Sequence, residues 1–104
     1  MEVKIEIIEG CTLVKIAGRL DTATAGEFEK AIAPILEGTM QHVILDCADF
    51  TYISSSGLRL FLVLQKSALA KGGKLSIRDM SAEIKSIFDM TGFSSLFTFE
   101  QSNV

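Results

Sequence analysis

The chain has 104 residues, of which 48% are hydrophobic and 22% charged, with a formal net charge of −3 and a pI near 5.0. This length fits one domain, 1–104, able to bury a core without disulfides or a structural metal. The acidic balance and scattered Lys and Arg argue against nucleic-acid binding, which shows a basic patch or stripe, and no apolar run is long enough to span a bilayer.

The chain opens on MEVKIEIIEG, where Val3, Ile5 and Ile7 alternate with Glu2, Lys4 and Glu6. A period of two predicts a half-buried strand. The layout is unlike the charged-then-apolar order of a signal peptide, so a cytoplasmic protein is expected. Glu9-Gly10 is a turn signal, and Leu13-Val14-Lys15-Ile16-Ala17 completes a hairpin. Gly18-Arg19-Leu20-Asp21 ends the second strand. The period then changes. Ala25, Phe28, Ile32, Ile35 and Leu36 fall at helical spacing, with Glu27, Glu29, Lys30 and Glu37 on the other side. Asp21, Thr22 and Thr24 each offer a capping oxygen at the helix start. Pro34 should bend or end the helix in its last turn, and Gly38 closes it. Met40, Met80 and Met90 read as core or loop filler.

Val43-Ile44-Leu45 with Cys47 is apolar on both faces, the mark of an interior parallel strand. A loop is expected from Ala48 to Ser55. The run from Gly57 to Lys71 is too long for a typical strand and predicts a helix. Gly57, Leu60, Phe61, Leu64 and Ala68 share its core face. Leu58, Leu62 and Leu69 form a second apolar stripe, bordered by Arg59 and Lys66. Leu75-Ser76-Ile77 is the next strand. Ser81 caps a helix that carries Ile84, Ile87 and Phe88 and ends at Thr91-Gly92. Leu96, Phe97 and Phe99 form a short edge strand, and the tail from Gln101 to Val104 frays. The order is β-β-α-β-α-β-α-β, an α/β fold. It combines an N-terminal hairpin and βαβ units in a mixed sheet of about four to five strands, and right-handed crossovers place the helices mainly on one face.

Cys11 and Cys47 lie in strand-like runs and read as reduced, buried thiols. With no CxxC, no HExxH and one histidine, no metal site and no cofactor are expected. In such a sheet, sites collect where strand carboxyl ends meet helix N-termini. The loops Gly18 to Asp21 and Thr51 to Ser56 fall on that edge. Ser56 directly precedes Gly57 and is the expected N-cap, and the free N–H groups around it make an anion site. Ser54-Ser55-Ser56 admits four readings. A nucleophile needs a base, but His42 lies at the opposite edge and the G-x-S-x-G elbow is absent. A nucleotide P-loop lacks its Gly-x4-Gly-Lys-Ser/Thr pattern. A plain cap and a phosphorylation site both remain open on the local pattern.

"GRLDTATAGEFE", "VILDCADFTYISSSGLRLF" and "GGKLSI", in this order and spacing, resemble the STAS domain over essentially the whole chain. That family covers anti-sigma factor antagonists and the cytoplasmic tails of sulfate transporters, and the free-standing length resembles the bacterial antagonists. The resemblance implies a regulatory binding protein rather than an enzyme, with no catalytic residue. The family's signature is Asp-Ser-Ser/Thr-Gly before the long helix. Its last Ser or Thr is phosphorylated by a partner that is both serine kinase and anti-sigma factor. Unphosphorylated antagonist binds that partner and frees the sigma factor, and phosphorylated antagonist lets go. Ser56 matches the phosphoacceptor, Ser55 the preceding serine, Gly57 the glycine, and Asp21 the acid of the Gly-x-Leu-Asp stretch. Ser54 stands where the family has aspartate. Leu58, Arg59 and Leu62, next to Ser56, are the expected partner surface. The protein would insert into no membrane and be a monomer when free. The alternative that the family offers is a phosphorylation-independent subunit of a lipid-transport ATPase complex.

Overall fold

A computed structural model describes residues 1–39 and 42–101. Met40 and the tail residues 102–104 lie outside the described residues. The elements are β1 (Glu2–Ile8), β2 (Cys11–Leu20), α1 (Ala25–Glu37), β3 (His42–Ile53), α2 (Ser55–Ala70), β4 (Lys74–Arg78), α3 (Ala82–Thr91), a 3-10 turn (Ser94–Leu96) and β5 (Thr98–Glu100). The five strands lie in the order β1-β2-β3-β4-β5. β1 runs antiparallel to β2, and all later neighbours are parallel. Each helical crossover steps one strand in the same direction, so right-handed connections put all three helices on one face.

That face holds the core. Val14, Ile16, Val43, Leu45, Leu75 and Ile77 of the sheet are buried against Phe28 and Ile32 of α1, Phe61 and Leu64 of α2, and Phe88 of α3. Phe61 joins the helices. Its ring centroid lies 5.9 Å from that of Phe28 and 6.0 Å from that of Phe88. The anticipated core face of α2 is buried throughout. Ser81 caps α3 as anticipated, its Oγ accepting the Ile84 N–H at 3.3 Å. Pro34 sits in the last turn of α1 without ending it, and the helix runs on to Glu37.

Leu96 falls in the 3-10 turn rather than in β5, and two larger expectations change. The first concerns β1. The hairpin forms through Glu9 and Gly10, both at positive φ, but Ile5 and Ile7 remain 42% and 71% exposed. α1 crosses from β2 to β3, and β1 lies beyond it with no helix of its own. The second concerns β3. The stretch from Ala48 to Ile53 is strand, not loop. β3 advances from Asp46 to Asp49 where β2 advances from Lys15 to Ala17, and from Phe50 to Tyr52 where β2 advances from Gly18 to Arg19. Each of these is a bulge with one extra residue on β3. Its buried side chains accordingly fall at Cys47, Phe50 and Ile53, three apart rather than two. The alternation that marks a strand in sequence is therefore lost, although the pairing is kept.

Candidate functional site

β4 pairs with β3 only as far as Asp46, and β1 with β2 only as far as Ala17, so the carboxyl ends of β2 and β3, from Gly18 and Phe50 onward, continue as a two-stranded arm. The arm ends at the pair Leu20↔Ile53, and the Ser54 N–H closes it by donating to the Leu20 carbonyl at 2.9 Å. The chain then turns into α2. Gly57 makes the turn possible: a Cβ there would lie 2.7 Å from Leu20 Cγ and 2.9 Å from Ile53 Cγ1. The first turn of α2 is pressed directly onto the strand ends.

The helix cap is Ser54, not Ser56. Ser54 has extended backbone, and its Oγ accepts the Gly57 N–H at 3.3 Å. Ser55 and Ser56 are the first two helical residues, Ser55 exposed and Ser56 half-buried. The Ser56 hydroxyl has no hydrogen-bond partner among the described residues. The shift of the cap by two residues has a simple cause. Three consecutive serines are equivalent as cap candidates on local pattern, and only the end of the β2–β3 pairing decides where the helix begins.

Asp21 closes the neighbouring loop. Its Oδ1 accepts the N–H groups of Ala23 at 3.0 Å and Thr24 at 3.1 Å. Thr24 Oγ1 accepts the Asp21 N–H and donates to the Arg19 carbonyl, each at 2.9 Å. The Thr24 N–H holds the Asp21 carboxyl below its ordinary range, with the Ala23 N–H and the Arg19 charge acting in the same direction. Asp21 is thus an ionised group that braces the turn leading into α1, whose N-cap position is Thr24 with no side-chain cap bond. Arg19 and Tyr52, which the sequence reading did not single out, meet across the arm. The Arg19 guanidinium lies 4.2 Å from the Tyr52 ring centroid and 3.7 Å from Asp21 Oδ2. The bulge between them sets this pairing, so no local motif signals it.

The surface of α2 also differs from the expectation. Leu58 is only 6% exposed and belongs to the core, because the close seat of Gly57 draws the next residue inward. Leu62 is half-buried against the core and Arg59 is exposed. Val63 and Leu69 are the exposed large apolar residues of this helix. Ser56, Arg59 and Val63 follow helical spacing along one side. Elsewhere, His42 is exposed at the far end of β3. Cys47 is buried, and burial pushes its thiol pKa up, so it is an inert thiol, whereas Cys11 is only half-buried, contrary to expectation. Asp46 Oδ1 accepts the Ala48 N–H at 3.1 Å and braces the first bulge. Among the described residues no group of three His, Cys, Asp or Glu could hold a metal, and no helix is long and apolar enough to cross a membrane.

A family model described as "STAS domain" matches residues 2–103. The chain belongs to the STAS domain family. This STAS domain is similar to an anti-sigma-B factor antagonist of Staphylococcus epidermidis, at 32% identity over 83 residues that cover 80% of this chain and 77% of the relative. It is also similar to BtrV of Bordetella bronchiseptica, named as a candidate anti-sigma factor antagonist, at 28% identity over 98% of this chain and 88% of that one. Among solved structures, the anti-sigma factor antagonist SpoIIAA shares the fold in both of its states. The unphosphorylated form has a TM-score of 0.82 at 16% identity, covering 98% of this chain and 89% of SpoIIAA. The phosphorylated form has a TM-score of 0.75 at 17% identity, covering 98% and 92%. The mixed five-stranded sheet with three helices is thus the STAS architecture.

Proposed function

We propose that this protein is a cytoplasmic anti-sigma factor antagonist that sequesters a serine-kinase anti-sigma factor and is switched off by phosphorylation at Ser56. The observation that carries this reading is the Ser56 hydroxyl, without a partner among the described residues in the first turn of α2, directly before a glycine locked against Leu20 and Ile53. The family membership and the names of the relatives support it. So does the electrostatics. Phosphoserine adds about −1.5 to −2 charge at neutral pH. α2 has no acidic residue in its first turn, and its dipole and free N–H groups favour an anion there. The modified domain therefore keeps its fold while the charge of the docking face changes. The partner surface that fits is the exposed side of α2 next to Ser56, through Arg59 and Leu62, with Val63 in place of the buried Leu58.

Incubation with the cognate kinase and ATP, followed by mapping of the modified peptide and measurement of partner affinity, tests the reading. Modification at Ser56 with loss of binding is expected, as is a Ser56→Asp variant that stays folded and binds weakly. Modification at Ser54 or Ser55 with Ser56 untouched would sink the assignment. Retained binding without any modification would favour the phosphorylation-independent transport subunit.

A further inference from the structure

We infer that the free edge of β1 is a self-pairing surface, on which two copies of this chain join β1 to β1 antiparallel, about a two-fold axis through Ile5, into one continuous sheet. Among the described residues β1 is an edge strand, bonded only to β2. The pair Ile8↔Cys11 flanks the two-residue Glu9-Gly10 turn and is the hydrogen-bonded closing pair of the hairpin. Antiparallel pairs alternate between bonded and non-bonded. Counting back from Ile8, the backbone groups of Glu6, Lys4 and Glu2 face β2, and those of Val3, Ile5 and Ile7 face outward. Ile5 and Ile7 are also the exposed apolar side chains of the helix-bearing face. They border an apolar groove with Pro34 and Ile35 of α1. One strand edge thus offers unpaired backbone and uncovered side chains at the same residues, which is a template for another strand.

Charge selects the occupant. Cross-strand neighbours on the opposite face form the row Lys4, Lys15, Asp46, Arg78, Glu100. Arg78 and Glu100 pair at 3.3 Å, but Lys4 stands opposite a like charge in Lys15. Lys4 has no ion pair among the described residues. A second β1 centred on Ile5 supplies what is missing: Lys4 of each copy meets Glu6 of the other. These are non-bonded pairs, in which the side chains approach most closely. Val3 then meets Ile7, and Ile5 meets Ile5, as bonded pairs on the helix-bearing face. This register uses every residue of Glu2–Ile8. Sliding by two residues in one direction sets Lys4 against Lys4, and in the other Glu6 against Glu6. Sliding by one matches outward-facing backbone with inward-facing backbone. Full-length pairing, hydrogen-bond phase and charge therefore agree on one isologous register, and the fitting partner is a second copy. It replaces the expectation of a free monomer. The interface is a single strand pair, smaller than a standard interface, so the dimer is a weak, concentration-dependent one.

Sedimentation equilibrium of the full chain up to about 1 mM should show a monomer–dimer equilibrium. Amide exchange should slow with concentration at Val3, Ile5 and Ile7 but not at Lys4 or Glu6, whose groups β2 already holds. Lys4→Glu and Glu6→Lys should each weaken self-association by about tenfold or more, since two attractive pairs become repulsive. Mixing these two variants should restore a heterodimer, because Glu at 4 and 6 then faces Lys at 6 and 4. A chain that stays monomeric across the range would overturn the proposal. So would a dimer that both single variants leave intact, or folded variants that fail to pair on mixing. Should a variant lose the fold, the exchange pattern of the unaltered chain decides by itself: protection elsewhere than β1 refutes the edge.

Discussion

The Ser54 hydroxyl accepts the Gly57 N–H, and the Ser56 hydroxyl bonds to nothing among the described residues. Two adjacent serine-to-alanine substitutions should therefore behave differently. Ser54→Ala loses a cap and should cost about 1 kcal/mol. Ser56→Ala removes no bond and should fall within about 0.5 kcal/mol of wild type. Urea unfolding of both variants checks this, and equal losses would place the cap elsewhere. Asp21 offers a pH test. Its carboxyl lies below the ordinary aspartate value of 3.8, chiefly through the Thr24 N–H. A depressed folded-state value means the stabilisation is present above the unfolded value and is lost as pH falls through the folded one. Asp21→Asn keeps an accepting oxygen but not the charge. Its melting temperature should lie below wild type at pH 7, and the gap should close below about pH 4. A gap that persists into acid would assign the loss to geometry rather than charge.

At the scale of elements, the β2–β3 arm and the first turn of α2 form one packed unit. Leu20 and Ile53 end the two strands side by side, and both press on Gly57. Leu20 is fully buried, so it has no room to yield to a new methyl group. Gly57→Ala should therefore cost about 1–3 kcal/mol by overpacking, against the helix propensity that alanine would otherwise add. Thermal or denaturant unfolding measures this, and a neutral or stabilising result would show that the helix start can shift outward. Under the proposed function, partner affinity should fall in the same variant, because the helix start carries Ser56 and Arg59. The two bulges of β3 contribute to the same end. They re-aim the strand so that Phe50 and Ile53 reach the core and Tyr52 meets Arg19.

In the whole molecule, three helices depend on one aromatic cluster. Phe61 of α2 lies within 6.0 Å, centroid to centroid, of Phe28, Phe50 and Phe88, which come from α1, β3 and α3. Phe61→Ala should cost about 3–5 kcal/mol, a large share of the stability of a domain this size. Equilibrium unfolding would show it, and a loss under about 1 kcal/mol would mean that the helices close the cavity by shifting. The core-facing stripes of the helices, the succession of elements and the one-sided layering of this protein follow from its sequence alone. The period of 3.6 at Phe28, Ile32 and Ile35, the doubly apolar Val43-Ile44-Leu45 and the handedness of crossovers are local or generic constraints, and a linear pattern carries them. The Ser-Ser-Ser-Gly junction could be found in the same way, since a residue-level resemblance located it. Four features were settled only by the tertiary structure: the capping serine, the burial of Leu58, the strand character of Ala48 to Ile53, and the bare edge at Ile5 and Ile7. Each depends on where a strand pair ends, where it bulges or where a helix crosses. Those are relations between segments distant in sequence, and no periodicity within one segment encodes them.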